Sequence, residues 1–322
     1  MEMTYIFPLF LMERRRHHVS IARNDGRHNL TKETHMATYL IVGASGTVGS
    51  SIVQDLAAQG HNVRATTSRK EAVGKRGNVE TVILNAVTGE GVAEAFKGVD
   101  GAFFLSPPGY ADQQKLLSPL VKEAQRAKVG KVVLMTAMGA NAADTPFRRV
   151  EEELAASGLA FNIIRPNWFM QNFQTFWAHG INADGKISLP AGTAKTSFID
   201  ARDIAAVAVR LLTTHDEDGK AFDLTGPESL THEQVAQALS KETGRTIGYQ
   251  DIDPDVLRKG LLAGGVPADY TEFLLVILGF LKQGYAERTT GDVKRLLGRE
   301  PRSFAQYAKD ARAAWNPVRN AA

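Results

Sequence analysis

Between residues 43 and 49 the chain reads Gly43-Ala44-Ser45-Gly46-Thr47-Val48-Gly49. The apolar run Tyr39–Val42 precedes it, and Val48, Ile52, Val53 and Leu56 follow at helical spacing up to the stop at Gly60. A strand, a glycine turn and a helix in that order form the opening crossover of a parallel sheet. Such a turn aims backbone N–H groups at an anion with no side chain in the way. Gly43 permits the sharp turn, Gly46 allows a pyrophosphate to approach, and Gly49 lets the helix pack closely on the sheet. Ser45, Thr47 and Val48 complete a candidate dinucleotide cradle.

The rest of the chain keeps the same rhythm. Strands are expected at Val63–Thr67, Val79–Leu84, Gly101–Leu105, Lys131–Thr136 and Phe161–Arg165. Between them lie helical segments at Val92–Phe96, Ala111–Lys128 (interrupted at Ser118-Pro119) and Val150–Ala156. This alternation predicts an α/β protein with a Rossmann-type doubly wound parallel sheet, followed by a smaller C-terminal α/β substrate-binding region. Residues 36–166 are the expected nucleotide-binding domain, and 167–322 the substrate region, interleaved with the same sheet. In that second part a short strand feeds a helix over Ser197–Leu212, Ala221–Leu224 is a strand, and Thr231 with Gln234 opens a helix to Thr243. The apolar stretch Phe273–Leu281 has nine residues, too few to span a bilayer, and is expected to be a buried lid helix or one covered by a partner subunit.

Residues 1–35 read as a disordered extension or a start assigned too early, with Met36 as the true start. They carry six basic residues against four acids, which is two of the three net positive charges. The remaining body is nearly neutral, so a nucleic-acid surface is not expected. There is no cysteine, which excludes disulfides, thiolate metal sites and a cysteine nucleophile. The eight histidines lack ligand spacing, so no metal is expected. No signal peptide or membrane span is visible, and a cytoplasmic protein is expected.

The stretch after the second strand selects the nucleotide. It reads Val63-Arg-Ala-Thr-Thr-Ser68-Arg69-Lys70, without an acid until Glu71. A carboxylate there would bind ribose hydroxyls and repel a 2′-phosphate, whereas Ser68, Arg69 and Lys70 offer it hydrogen bonds and charge. NADPH is therefore expected, with NADH as the alternative.

Several further segments together resemble the NmrA-like group of atypical short-chain dehydrogenases. They are Leu105-Ser106-Pro107-Pro108, Ser157-Gly158-Leu159, Ile164-Arg165-Pro166-Asn167 with Phe169-Met-Gln-Asn-Phe173, Phe198-Ile-Asp-Ala-Arg-Asp-Ile204, Thr225-Gly-Pro-Glu228 and Gly265-Val-Pro267. Within that group the chain is similar to the branch of NAD(P)H:quinone oxidoreductases and triphenylmethane reductases. The resemblance spans about residues 37–315. It implies contacts to the coenzyme from Thr47 and Val48, from Asn85 at the adenine, and from Leu105, Ser106, Pro107, Thr136 and Pro166. Asn167 would lie near the nicotinamide and the substrate. Beside the resemblance, Tyr110 follows Pro107-Pro108 in a loop able to face the substrate, and Trp168, Phe169, Phe173, Phe176 and Trp177 form a dense aromatic run after the sixth strand suited to line the acceptor slot.

One departure narrows the chemistry. Ordinary short-chain dehydrogenases use a tyrosine with a lysine four residues later; none of the seven tyrosines here has that partner, and the aligned positions hold Ala143 and Phe147. Catalytic residues are therefore not assigned. Reduction of a simple ketone creates a strong base and needs a placed acid. A quinone or similar conjugated acceptor spreads the incoming charge and can take protons from water. The expected activity is hydride transfer from NADPH to such a small molecule, in a protein that is free to form homo-oligomers. The alternative is a non-catalytic NADP(H)-binding redox sensor. The acids of Val150-Glu-Glu-Glu-Leu154 are expected to form a solvated helix face.

Overall fold

The structure, a computed structural model, describes residues 36–315, so the reading of residues 1–35 lies outside it. Twelve strands and eleven helices follow in chain order within that range. The first half contains β1 (Thr38–Ile41), α1 (Thr47–Ala58), β2 (Asn62–Thr67), β3 (Gly74–Arg76), β4 (Val79–Ile83), α2 (Val92–Ala95), β5 (Gly101–Phe104), α3 (Gln113–Arg126), β6 (Lys131–Met135), α4 (Pro146–Ala155) and β7 (Ala160–Pro166). The second half contains α5 (Ala178–Asp184), β8 (Lys186–Ser188), β9 (Lys195–Thr196), α6 (Ala201–Thr213), β10 (Lys220–Leu224), β11 (Leu230–Thr231), α7 (His232–Thr243), β12 (Gly248–Gln250), α8 (Pro254–Ala263), α9 (Ala268–Lys282), α10 (Asp292–Leu297) and α11 (Phe304–Asp310).

Eight strands form one sheet in the order β10-β7-β6-β5-β1-β2-β4-β3. Every pairing is parallel except that of β3, which runs antiparallel to β4 at the edge. The strand order reverses at β1, whose neighbours are β2 and β5. Sheets of this kind bind ligands beyond the carboxyl ends of their strands at such a reversal.

Both faces of the sheet are covered, so β1 from Tyr39 on and β5 are apolar and their successive residues enter opposite cores. Ile41 and Phe103 pack with α1 and α6, and Leu40 and Phe104 with α3 and α4. A third core, with Phe173, Phe198, Phe304 and Trp315, holds the C-terminal elements together. Strand β10 and helix α6 belong to the second half of the chain yet complete the main sheet and its cover.

Three sequence expectations are corrected. Helix α3 runs unbroken through Pro119; Pro119 and Lys115, whose carbonyl loses its intrahelical partner, both lie on the exposed side, where that carbonyl is accessible to solvent. The strand expected at Ser197 is Lys195–Thr196, and Ile199 bridges instead to Phe169. Helix α9 is not a buried lid: it has 15 residues with Leu278 and Leu281 covered and Val276 and Phe280 exposed on this chain, which leaves the alternative of cover by a partner subunit open. No helix among the described residues is long and apolar enough to cross a membrane.

Candidate active site

The glycine turn is shaped by its own backbone. Gly43 has φ +73°, and a Cβ there would lie 2.9 Å from Leu105 Cδ1, so the turn and the loop after β5 are in direct contact. The Gly46 N–H donates to the Gly43 carbonyl at 2.9 Å and closes the turn. A Cβ on Gly49 would sit 2.2 Å from the Gly43 oxygen, a backbone collision that admits no side chain.

Gly46 is the N-cap of α1, supplies no side-chain cap, and no acidic residue occupies the first turn. The leading N–H groups of a helix have no intrahelical acceptor and carry partial positive charge. They open here beside exposed Ser45, Gly46 and Thr47, while Val48 and Gly49 are buried behind them. This arrangement fits a diphosphate.

At the end of β2, Ser68, Arg69 and Lys70 are all exposed. The Arg69 N–H donates to Thr67 Oγ1 at 3.1 Å, which shapes the bend, and Lys70 Nζ lies 3.1 Å from Glu90 Oε1. Asn85, after β4, accepts the N–H groups of Val87 and Thr88 through Oδ1 at 2.9 and 3.2 Å, so this side of its carboxamide builds its own turn.

The opposite wall is the loop after β5. Leu105, Ser106 and Pro107 are half-buried there, and Ser106 Oγ donates to the Pro107 carbonyl at 3.2 Å. Tyr110 is 38% exposed at the rim, its carbonyl held by Gln113 Nε2 at 2.9 Å. From α9, Tyr270 is half-buried; burial raises its pKa and the Gly109 backbone amide opposes the rise. Tyr270 also stacks on Phe273, with centroids 5.7 Å apart. Tyr270 has Leu274, not lysine, four residues on. A tyrosine opening an otherwise apolar helix was the available signal.

Beneath the ends of β6 and β7 lies a buried network that includes Glu151, one of the acids expected on a solvated helix face. Glu151, in α4, is 4% exposed and accepts from Thr136 Oγ1 at 2.6 Å. It also receives Arg165 in a fork, Nε to Oε1 at 2.9 Å and Nη2 to Oε2 at 2.6 Å. Arg165 Nη1 lies 3.7 Å from Asp223 in β10. An arginine in a strand covered on both faces requires a buried anion, so Ile164-Arg165-Pro166 signals one without telling which acid supplies it. Of the neighbouring acids, Glu152 remains exposed.

Two residues expected at the acceptor face inward. Phe173 is fully buried, 5.3 Å from Phe198 and 5.4 Å from Phe304 between ring centroids, and belongs to the third core. Asn167 is 6% exposed; its Nδ2 donates to Ser197 Oγ and the Ala286 carbonyl at 2.7 and 2.8 Å, and its Oδ1 accepts from Trp168 N–H. Both support the site from within and leave the set of residues open to an acceptor. Phe169 stays half-buried and Phe176 is exposed. Pro166 is buried, its carbonyl accepting the Met138 N–H at 3.0 Å.

The NmrA-like family model matches residues 36–308. The chain belongs to the NmrA-like family. Among its relatives, an uncharacterised oxidoreductase, YesF, of Bacillus subtilis (strain 168) is 32% identical over 277 residues, covering 86% of this chain and 96% of that protein. An NAD(P)H azoreductase of Xenophilus azovorans is 31% identical over 285 residues, covering 86% and 98%. Among solved structures, the NADPH-dependent quinone oxidoreductase QOR2 of Escherichia coli, complexed with NADPH, superposes with a TM-score of 0.73 at 19% identity over 84% of this chain and 99% of that one. This likeness establishes the shared fold.

Proposed function

We propose that this protein is an NADPH-dependent reductase that delivers hydride to a flat conjugated acceptor of the quinone type, without a tyrosine–lysine proton relay. The reading is carried by the glycine turn Gly43–Gly49, set against Leu105 at the strand-order reversal with the uncapped start of α1 opening into it. The α1 N–H groups would hold the diphosphate, with Ser45, Thr47 and Val48 around it. Ser68, Arg69 and Lys70 would receive the 2′-phosphate, and Asn85 would border the adenine. Leu105, Ser106, Pro107, Thr136 and Pro166 would frame the nicotinamide end.

When bound, NADPH supplies the hydride. Residues of this chain orient the coenzyme and exclude water from one side of the acceptor, with Tyr110 and Phe169 offering a partly apolar rim. Where a relay would stand, Phe147 packs against the core under α4 and Ala143 is exposed in the turn before it. Neither can move a proton, which favours an acceptor whose reduced form takes protons from water. The azoreductase relative also supports a conjugated acceptor.

The test is NADPH oxidation, followed by absorbance, with a panel of quinones and simple ketones. Turnover with quinones and none with ketones is expected. Tight NADPH binding without turnover on any acceptor would favour a sensor instead.

A further inference from the structure

The proposed 2′-phosphate site contains a built-in competitor. Lys70 and Glu90 form an ion pair at 3.1 Å, whereas Arg69 makes no ion pair among the described residues. Strands β2 and β4 are parallel neighbours with Thr67 beside Ile83, so their carboxyl ends, and the loops that carry Lys70 and Glu90, lie side by side.

Glu90 is held in place by its backbone. Its carbonyl accepts the Asn85 N–H at 2.9 Å, and Gly89 N–H donates to the Asn85 carbonyl at 2.8 Å. Next to it, Gly91 adopts φ +76° where a Cβ would meet the Ile83 oxygen at 2.2 Å. The turn capped by Asn85 thus fixes where the Glu90 side chain starts, and the carboxylate reaches back to Lys70.

Resting on the coenzyme reading above, we infer that Glu90 is a specificity-determining residue: it holds Lys70 in competition with the 2′-phosphate and so moderates the preference for NADPH over NADH. A dianionic phosphate arriving at Ser68–Lys70 meets one free cation, Arg69, and one already neutralised. To recruit Lys70 it must displace Glu90 and tolerate a carboxylate nearby. NADH lacks the phosphate and leaves the pair intact. Both side chains are more than a third exposed, at 78% and 50%, so screening limits the effect to about threefold to fivefold in the coenzyme ratio.

The experiment measures dissociation constants of NADP+ and NAD+ by tryptophan fluorescence or calorimetry, so that the result does not depend on turnover. The proteins are wild type, Glu90→Gln, Lys70→Gln and the double variant. Glu90→Gln should tighten NADP+ about threefold to fivefold and change NAD+ by less than about twofold. In the Lys70→Gln background the same substitution should change NADP+ by less than about twofold, because the cation that Glu90 withholds is gone. An equal change for both coenzymes, no change, or an undiminished effect without Lys70 would overturn the role of Glu90 and leave the coenzyme site standing. Failure of wild type to bind either nucleotide would overturn the coenzyme reading and this inference with it.

Discussion

His232 provides the most quantitative test of the packing around the site. It opens α7 and has no exposed surface; its ring lies 5.5 Å from those of Phe198 and Tyr249 and 6.2 Å from those of Phe173 and Trp177. Neither ring nitrogen has a hydrogen-bond partner among the described residues. Burial pushes its pKa down to about 4, and a place in the first turn of a helix adds to the penalty on a positive charge. The unfolded chain titrates near 6.5. Between those values the unfolded state binds a proton that the folded state refuses, so stability is full above about pH 6.5 and falls as the pH drops toward 4. The loss works out to about 2 kcal/mol between pH 7.5 and pH 5, approaching about 3 kcal/mol at pH 4. Replacing His232 with Phe or Leu removes this contribution. Urea unfolding followed by tryptophan fluorescence at pH 7.5 and 5 should show a difference between wild type and variant that changes by about 2 kcal/mol in the variant's favour on acidification. Parallel pH dependences would refute the reasoning.

Other expectations follow from single contacts. Gly49→Ala forces a methyl against the Gly43 oxygen; it should destabilise by about 1–3 kcal/mol in urea and weaken NADP+ binding by more than about tenfold. Glu151→Ala leaves Arg165 buried without its fork partner and should cost about 3–5 kcal/mol by the same assay. Arg69→Glu should weaken NADPH by at least about tenfold while leaving NADH within about twofold; equal changes would remove Arg69 from the 2′-phosphate site. Tyr270→Phe loses its approach to Gly109 and should raise the acceptor KM about threefold or more, with the NADP+ dissociation constant unchanged. An effect confined to thermal stability would make Tyr270 merely structural.

Much of the fold was readable where its signals are local. The glycine turn, the strand at Val79 and the capping box at Thr231 with Gln234 each depend on a few adjacent residues, and the structure has all three where expected. Edge strand β3, with the sequence Gly-Lys-Arg, carries no apolar alternation and leaves no trace in the pattern. Long-range pairings were equally silent. Nothing near Glu151 marks it as the partner of Arg165, and three successive acids read as solvent-facing until the fold brings a strand arginine beside one of them. Phe173 and Asn167 follow the sixth expected strand as ligand-facing residues would, yet the C-terminal helices bury the first and the Ala286 carbonyl engages the second. For Tyr270, the Gly109 loop lies far away in sequence, and only the folded chain brings the two together.

The central claim is that the site reduces its acceptor by alignment alone, with no acid of its own. The direct measurement is the single-turnover rate of NADPH oxidation by a quinone under excess enzyme, recorded from pH 6 to pH 9 for wild type, Tyr110→Phe and Tyr270→Phe. The account predicts a rate that varies less than about twofold with pH and a flat profile retained in both variants. A rate that follows the ionisation of one protein group, and collapses when that group is removed, would contradict it.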